Sequence, residues 1–182
     1  MIDISYFESF PVLCTRRMIL RQLNLKDAQR VFIMRSDPQV NKYIGRKSMA
    51  SPEEARQLIS TTLDHFRQKK SISWGAELRT TKTFLGSCGL FEIDHQNSRA
   101  EIGGELLPDY WGKRLAIEAV ERIVQFGADE LNLHRIEAKV SPFNRSTIFM
   151  LEALGFKKEA QLRDYYFFDN RYHDLLVYGL LV

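Results

Sequence analysis

Cysteine is scarce in this sequence. Cys14 and Cys88 are the two cysteines among 182 residues, and their spacing matches no disulfide framework. This argues against a small secreted scaffold held by disulfides and favours a protein of the reducing cytoplasm. The four histidines, at positions 65, 95, 134 and 173, are too far apart to form a short metal-ligand motif. We therefore expect no metal site.

Long apolar runs and a strong charge of one sign are also missing. There are 26 basic and 23 acidic residues, a net charge of +3 with both signs interleaved, which is too mild to indicate nucleic-acid binding. No segment approaches the roughly 20 apolar residues of a membrane-spanning helix. Residues 1–13 contain Asp3 and Glu8 and no basic leader, so they predict no signal peptide. We expect a cytoplasmic protein with neither nucleic acid nor membrane as a partner.

The hydrophobic patterning predicts alternating strands and helices. Strand-like runs occupy residues 17–23, 72–79, 84–94, 99–107, 134–141, 157–169 and 171–182, and helical patterns occupy residues 24–35, 51–69, 146–154 and a long stretch from residue 115. The order β-α-α-β-β-β-α-β-α-β-β predicts an α/β (α+β) fold, with a mixed, mostly antiparallel sheet of about seven strands and about four helices on both faces. We expect one domain over residues 1–182, with residues 1–14 as an N-terminal extension.

The most informative segment is residues 108–119 (PDYWGKRLAIEA), where a strand ends and a long helix begins. The first turn of a helix has amide groups without intrahelical partners and carries the positive end of the helix dipole, so it can hold a phosphate. Gly112 allows a close approach of the backbone, and Lys113 and Arg114 add positive charge. The alternative is that Lys113 and Arg114 form a solvated face.

A second segment, residues 140–156 (VSPFNRSTIFMLEALGF), repeats this geometry on a smaller scale. Asn144 stands at the expected N-cap, where its side chain could serve either the helix or the amide groups of a ligand. Gly155 predicts the end of that helix, and Phe156 is expected in the core. Neither feature alone implies chemistry.

Five segments in register resemble the GNAT superfamily of acetyl-CoA-dependent N-acetyltransferases. They are residues 17–27 (RMILRQLNLKD), 100–103 (AEIG), 110–113 (YWGK), 144–156, and 171–174 (RYHD) before the last apolar run. Together they are similar to the RimJ/RimL-like branch, which acetylates N-termini of ribosomal proteins, and they cover the chain from about residue 15 to residue 182. The resemblance implies the GNAT fold, acetyl-CoA as co-substrate and no metal.

The resemblance also implies a coenzyme site. The family's pyrophosphate loop, whose backbone amides hold the diphosphate, corresponds to Trp111, Gly112, Lys113, Arg114, Leu115 and Ala116. Asn144 matches the residue that contacts the coenzyme arm, and Thr147 keeps the hydroxyl of the branch's usual serine. Leu106 and Leu107 would offer backbone groups to the pantetheine amides.

The sequence departs from the family pattern at three positions. Arg114 replaces the second usual loop glycine, which restricts the backbone but could supply a phosphate-binding guanidinium. Leu151 stands where the superfamily often has a tyrosine general acid, and Lys139 where some relatives have a glutamate base. Neither loss excludes direct attack by an oriented amine.

Two glutamates are candidate general bases. The period of a strand places Glu101 and Glu105 on one face, close to where an acceptor would meet the thioester. Glu101 is preferred because it lies in the family-like AEIG segment, and it joins Thr147 as our candidate catalytic residue. The alternatives are that either glutamate is an ion-pair partner and that water takes the proton.

The expected function is transfer of an acetyl group from acetyl-CoA to a primary amine, most simply a protein N-terminus. One alternative is a small-molecule amine, since loops such as residues 40–51 set acceptor shape. Another is a non-catalytic acyl-CoA-binding module. A Rossmann-type nucleotide site is disfavoured because no glycine-rich fingerprint follows the first strand. Residues 175–182 could pair between subunits in a homodimer or complete the sheet.

Overall fold

An eight-stranded sheet organises the protein, with the strand order β1-β2-β3-β4-β5-β6-β8-β7. The computed structural model describes residues 2–182. The strands are Leu13–Cys14 (β1), Met18–Gln22 (β2), Ile72–Leu78 (β3), Phe84–Asp94 (β4), Arg99–Leu106 (β5), Arg135–Val140 (β6), Lys157–Phe168 (β7) and Arg171–Leu181 (β8). The α-helices are Ala28–Ser36 (α1), Pro38–Asn41 (α2), Pro52–Arg67 (α3), Leu115–Asp129 (α4) and Arg145–Ala153 (α5). The β5–β6 pair is parallel, and the other neighbouring pairs are antiparallel.

The predicted fold class is confirmed, with two elements more than expected. Within residues 2–182 there are eight strands and five α-helices, where about seven and about four were predicted. The additional elements are β1, with 2 residues, and α2, with 4. Both are too short to show a hydrophobic period. The start of α2 does carry a local signal, because the Asp37 carboxylate accepts from the Gln39 N–H (2.7 Å) and Pro38 follows Asp37.

The predicted helix starts are confirmed in outline and corrected in detail. Ser51 caps α3 by accepting from the Glu54 N–H, with Pro52 in the first turn. The Glu54 carboxylate accepts from the N–H of Ala50 at 3.2 Å. The helix predicted from residue 24 begins as a 3-10 turn over Leu25–Asp27 and becomes α1 at residue 28.

Two apolar cores lie on opposite faces of the sheet. Helices α4 and α5 cover one face, where Phe126 and Leu151 belong to the larger core. Helices α1, α2 and α3 cover the other face with a smaller core. Side chains alternate along β5, so Ile102 belongs to the larger core, whereas Glu105 meets an arginine of α1 on the opposite face. The sheet therefore presents the two candidate bases on the α1 side.

Both ends of the chain are tied into the fold. The stretch that was predicted as an extension contributes Ile2 and Phe7 to the larger core and forms β1. Strand β8 lies between β6 and β7 and pairs with both. Of the two alternatives for residues 175–182, completion of the sheet is confirmed, and β7 is the edge strand on that side.

The two cysteines are both free. Burial raises the pKa of the Cys88 thiol to about 12, so this thiol stays protonated at neutral pH. No helix of residues 2–182 is long and apolar enough to cross a membrane. In the same part of the chain, no group of three histidine, cysteine, aspartate or glutamate side chains is placed to hold a metal ion.

Candidate active site

Strands β5 and β6 separate after a short parallel contact. Their register joins Arg99 to Arg135, Ala100 to Ile136 and Glu101 to Glu137, after which the two strands no longer pair. The resulting gap, between residues 102–106 and residues 138–140, is called the β5–β6 wedge. Since the strands are parallel, the connections to α4 and α5 both leave from the same edge of the sheet. The wedge therefore opens between two helix N-termini.

The backbone of β5 faces into this wedge at Leu106. The Leu107 N–H donates to the Leu85 carbonyl of β4 (2.8 Å), so the alternation of a strand turns the backbone groups of Leu106 away from β4. The Leu106 carbonyl accepts from the Trp111 indole N–H at 2.7 Å. The Leu107 carbonyl accepts from the Tyr110 N–H at 3.0 Å. Of the two predicted pantetheine contacts, the Leu106 N–H is thus the group aimed into the wedge.

The connection from β5 to α4 has the backbone of a glycine-rich loop. Gly112 has φ +72°, and a Cβ added there would meet nothing within 4 Å, so the loop surface is open. Arg114 also adopts the left-handed conformation, with φ 58° and ψ 23°, immediately before α4. Arginine thus takes the conformation for which glycine is the usual choice. The loop thus has the left-handed backbone that suits the family's usual glycine, although residue 114 is an arginine.

Arg17 holds the carbonyl side of this loop. Its guanidinium donates to the carbonyls of Lys113 (2.9 Å) and Arg114 (3.1 Å), and its Nε donates to Glu118 of α4 at 2.7 Å. In a trans peptide the carbonyl and the following N–H point in opposite directions. The N–H groups of Arg114 and Leu115 therefore point away from Arg17 and remain directed outward.

Glu118 in turn fixes Arg17. Its carboxylate also accepts from the Thr15 hydroxyl (2.6 Å) and from the Arg17 N–H (2.8 Å). Burial by itself would raise the pKa of Glu118, but the hydrogen bonds from Thr15 and Arg17 lower it below its usual range. The carboxylate therefore stays charged, and the contact between Arg17 and the loop is preserved at neutral pH.

Asn144 and Thr147 lie on the other side of the wedge. The Asn144 side-chain oxygen caps α5 by accepting from the Thr147 N–H at 3.2 Å, which confirms the predicted N-cap. The Nδ2 of the same side chain is the part that could donate to a ligand. The Thr147 side chain is half-buried in the first turn of α5.

A cavity of about 420 Å³ adjoins the end of β6. Its walls come from residues 42–45, from Ser141 and Phe143 after β6, and from the β7–β8 hairpin. We call it the hairpin cavity. The rings of Tyr166 and His173 stack in it, with centroids 5.1 Å apart. Gly45 lets the loop pack closely against the hairpin, because a Cβ there would collide with the Tyr166 ring.

The sequence match decides the family. The model of the family described as "Acetyltransferase (GNAT) domain" matches residues 17–157. This span includes the wedge, the loop before α4 and the cap of α5. The chain belongs to the GNAT acetyltransferase family. The family prediction and the expectation of an N-acetyltransferase are confirmed.

Individual relatives agree with this assignment. The uncharacterized N-acetyltransferase YoaA of Bacillus subtilis is 36% identical over 172 residues, 94% of this chain and 97% of that protein. The candidate ribosomal N-acetyltransferase YdaF of Bacillus subtilis is 26% identical and aligns over 89% of this chain and 90% of its own length. The spermidine N(1)-acetyltransferase of Escherichia coli K12 is 28% identical over 86% of this chain and 82% of that protein.

The structure of RimL, a ribosomal-protein α-N-acetyltransferase in complex with coenzyme A, has the same fold. The TM-score is 0.87 over 94% of this chain and 98% of that chain, at 14% identity. This likeness confirms the GNAT fold, and the similarity to YdaF is consistent with the RimJ/RimL-like branch. The coenzyme contacts assigned to individual residues remain predictions for this GNAT chain.

Glu101, the preferred base, forms an ion pair with a lysine of the neighbouring strand β6. Its Oε2 accepts from Lys139 Nζ at 2.7 Å, across the first part of the wedge. The hydrogen bond from Lys139 to Glu101 raises the pKa of Lys139 above its usual range. The lysine that replaces the family's glutamate base thus pairs with the candidate base on the neighbouring strand. A catalytic role for Glu101 or Thr147 remains a prediction.

Glu105 is bound by two arginines. Its carboxylate, which is 5% exposed, accepts from Arg35 Nε of α1 at 2.5 Å and from the Arg46 guanidinium. Arg46 also donates to the Asn41 side chain at 2.8 Å. With both oxygens engaged, Glu105 is poorly suited to accept a proton from an amine. Instead, its ion pair with Arg46 connects the loop that forms one wall of the hairpin cavity to β5.

Leu151, which replaces the family's tyrosine acid, is a core residue. It is 2% exposed and belongs to the larger core. Nearby, the Tyr178 hydroxyl donates to the Glu152 carboxylate at 3.0 Å. The site thus has neither the tyrosine acid nor an isolated glutamate base. Sequence reasoning missed the roles of Arg17 and Gly45, because each depends on a contact with a distant segment.

Replacing Arg114 by glycine tests the loop. The left-handed backbone is costly for a residue with a Cβ, so Arg114→Gly should leave the free energy of unfolding unchanged or raise it by up to about 1 kcal/mol. If the guanidinium also binds phosphate, acetyl-CoA should bind about three- to tenfold more weakly and with less dependence on salt. Urea unfolding and calorimetric titration measure both. A loss of stability above about 1 kcal/mol would contradict this account of the loop.

Proposed function

We propose that this GNAT enzyme acetylates the α-amine at the N-terminus of a protein or peptide, with acetyl-CoA as the donor. The observation that carries the proposal is the meeting of the β5–β6 wedge with the hairpin cavity at the end of β6. Ser141, which directly follows β6, lines the cavity. A thioester in the wedge and an amine in the cavity would therefore lie close together.

The residues around the wedge fit the coenzyme. The open amides of the 112–116 segment suit a diphosphate, because Arg17 keeps the loop carbonyls turned away from it. The Leu106 N–H suits a pantetheine carbonyl, since it points away from β4. The Nδ2 of Asn144 suits another acceptor atom on the same arm.

The reaction needs few groups from the protein. The neutral amine attacks the thioester carbonyl, a C–N bond forms, the C–S bond breaks, and coenzyme A leaves as the thiolate. The attacking nitrogen loses a proton to a base or to water, and the thiolate takes one up. Backbone N–H groups along the wedge would stabilise the negative charge on the carbonyl oxygen.

The ion-paired state of both glutamates favours an α-amine. An α-amino group has a pKa of about 7.8, so roughly 15% of it is neutral at pH 7, whereas a lysine-like amine with a pKa of about 10.4 is less than about 0.1% neutral. Glu101 pairs with Lys139, and Glu105 pairs with Arg35 and Arg46. Neither glutamate is therefore an unpaired carboxylate that could deprotonate a strongly basic amine. An acceptor that is already partly neutral suits this site best. A cytoplasmic location fits the same proposal, because Cys14 and Cys88 are free thiols.

A small-molecule amine is the second candidate. The cavity volume of about 420 Å³ lies within the range of small-molecule sites. The similarity to a spermidine N(1)-acetyltransferase over 86% of the chain points in the same direction. The two candidates differ in the amine that they present, so a direct comparison separates them.

The test combines binding with turnover. Acetyl-CoA is titrated calorimetrically into wild type, Asn144→Ala and Asn24→Ala, where Asn24 is a matched helix-capping asparagine at a distant turn. Release of the coenzyme A thiol is then followed with a lysine-free peptide, the same peptide blocked at its N-terminus, and spermidine. We expect acetylation of the free peptide alone, and acetyl-CoA binding weakened about tenfold by Asn144→Ala only.

Other outcomes would overturn the proposal. Acetylation of spermidine without acetylation of the peptide would establish the second candidate. Binding of acetyl-CoA with no transfer to any amine would indicate a non-catalytic module. Equal effects of the two asparagine variants on acetyl-CoA binding would remove Asn144 from the coenzyme site.

A further inference from the structure

The hairpin cavity has cationic walls. Lys42 and Arg171 both line it, from the loop before α3 and from the start of β8. The Lys42 ammonium lies 5.2 Å from the centre of the Tyr43 ring, which keeps it beside the cavity. Arg171 lines the cavity together with the stacked rings of Tyr166 and His173. The residues that line the cavity include no carboxylate.

Three carboxylates near the cavity, on β5 and β8, have hydrogen-bond partners of their own. Glu105 is neutralised by Arg35 and Arg46, and Glu101 by Lys139. Asp174 of β8 accepts from the Gln161 side chain (2.8 Å) and from the Asp164 N–H (3.0 Å), outside the cavity. The loop at residues 42–47 also contains Lys47, whereas its Arg46 is paired with Glu105. The lining of the cavity therefore contributes positive charge and no negative charge.

A positive cavity acts on the amine and on the rest of the acceptor. It disfavours the ammonium form relative to the neutral amine, which is the form that attacks. It also repels a molecule that keeps further positive charges after its amine is neutral, and it attracts one that carries carboxylate or phosphate. A polyamine is thus unsuited to this cavity, whereas an amine on an acidic body is well suited.

We propose that the acceptor of this enzyme is a primary amine on an anionic body, recognised by Lys42 and Arg171. This inference rests on the proposed function, since it specifies the acceptor of the same site. An acidic peptide N-terminus and a small amine with a carboxylate share this chemistry.

The experiment compares acceptors of opposite charge. Lysine-free peptides with acidic, neutral or arginine-rich residues after the N-terminus, a small amino acid and spermidine are assayed as acceptors with wild type, Lys42→Glu, Arg171→Glu and the double variant. Lys26→Glu is the matched control, because Lys26 is exposed and lies outside the cavity. The peptides and the amino acid distinguish the two sources of the same chemistry.

The acidic peptide should have at least tenfold higher kcat/KM than the arginine-rich peptide with the wild-type enzyme. Each charge reversal should lower kcat/KM for the acidic acceptor about three- to tenfold, raise it for spermidine, and leave the KM for acetyl-CoA unchanged. High salt should reduce the preference. A wild-type enzyme that prefers spermidine, or a preference that the double variant leaves intact, would overturn the inference.

A binding measurement separates this inference from the proposed function. N-terminally acetylated acidic and arginine-rich peptides cannot react, and their binding to the protein with coenzyme A reports the charge preference alone. Selective binding of the acidic peptide without turnover of any acceptor would retain the inference and reject the proposed function. Turnover of peptides without a charge preference would retain the proposed function and reject the inference. If the protein neither acetylates a peptide nor prefers the acidic one, both proposals are rejected.

Discussion

Replacing Arg17 by alanine should reduce kcat/KM for acetyl-CoA about ten- to a hundredfold while leaving the KM of the acceptor nearly unchanged. Arg17 touches the loop carbonyls and Glu118, and it acts on the coenzyme only through the direction of the loop amides. Without it, the peptide groups at Lys113 and Arg114 can rotate, and their N–H groups no longer point outward together. Steady-state kinetics with acetyl-CoA as the varied substrate measure the effect.

The neighbouring arginine is the matched control. Arg16 is exposed and has the same charge, and no hydrogen bond or ion pair involves its side chain within residues 2–182. Arg16→Ala should leave the kinetics unchanged. Arg17→Lys should recover only part of the loss, because an ammonium cannot reach both carbonyls and Glu118 in the planar geometry of a guanidinium.

The kinetic pattern distinguishes positioning from stability. The Arg17 side chain is 41% exposed, so its removal should lower the free energy of unfolding by about 1 kcal/mol or less. An equal loss of acetyl-CoA affinity in Arg16→Ala would contradict the positioning role. Full recovery by Arg17→Lys would contradict the need for two donors.

Replacing Arg21 by alanine should lower the free energy of unfolding by about 3–5 kcal/mol. Arg21 makes two hydrogen bonds to Asp27, both 2.8 Å long, and one to Glu77 at 2.7 Å. Asp27 and Glu77 are only 6% and 8% exposed. The hydrogen bond to Asp27 is the main cause that raises the pKa of Arg21. Its removal leaves buried carboxylates without their guanidinium, since only Lys82 approaches Glu77, at 3.8 Å.

Urea unfolding of two further variants completes this test. Arg67→Ala removes an ion pair whose side chains are 72% and 55% exposed, so it should cost less than about 1 kcal/mol. Adding Asp27→Asn to Arg21→Ala should restore part of the stability, because it removes one unpaired buried charge. A loss below about 1 kcal/mol in Arg21→Ala would show that the buried cluster contributes little.

Local sequence signals predicted much of the fold. The strand pair Ile72–Leu78 and Phe84–Asp94, the helix that starts after Ser51 and the cap at Asn144 are all present. Each depends on contacts within a few residues, which periodicity and capping chemistry record directly. The two missed elements, β1 and α2, are too short to show a period.

The local backbone features of the candidate site were also predictable, but its internal contacts were not. The sequence placed the loop before α4 and the cap at Asn144 correctly. It suggested Glu101 and Glu105 as bases, and the structure engages both in ion pairs, Glu101 with Lys139 and Glu105 with Arg35 and Arg46. Those partners come from other strands, helices and loops. A one-dimensional pattern contains the charges but not their pairing.

The sequence by itself determined the order of elements, the type of sheet and the family, because these follow from hydrophobic period, caps and short segments. Only the tertiary structure decided that β5 and β6 separate, that β8 lies between β6 and β7, and that Arg17 orders a loop 96 residues away. It also decided that Lys42 and Arg171 line one cavity. The physical reason is that strand pairing and burial select partners among residues far apart in the chain, and those partners determine which charges remain available for function.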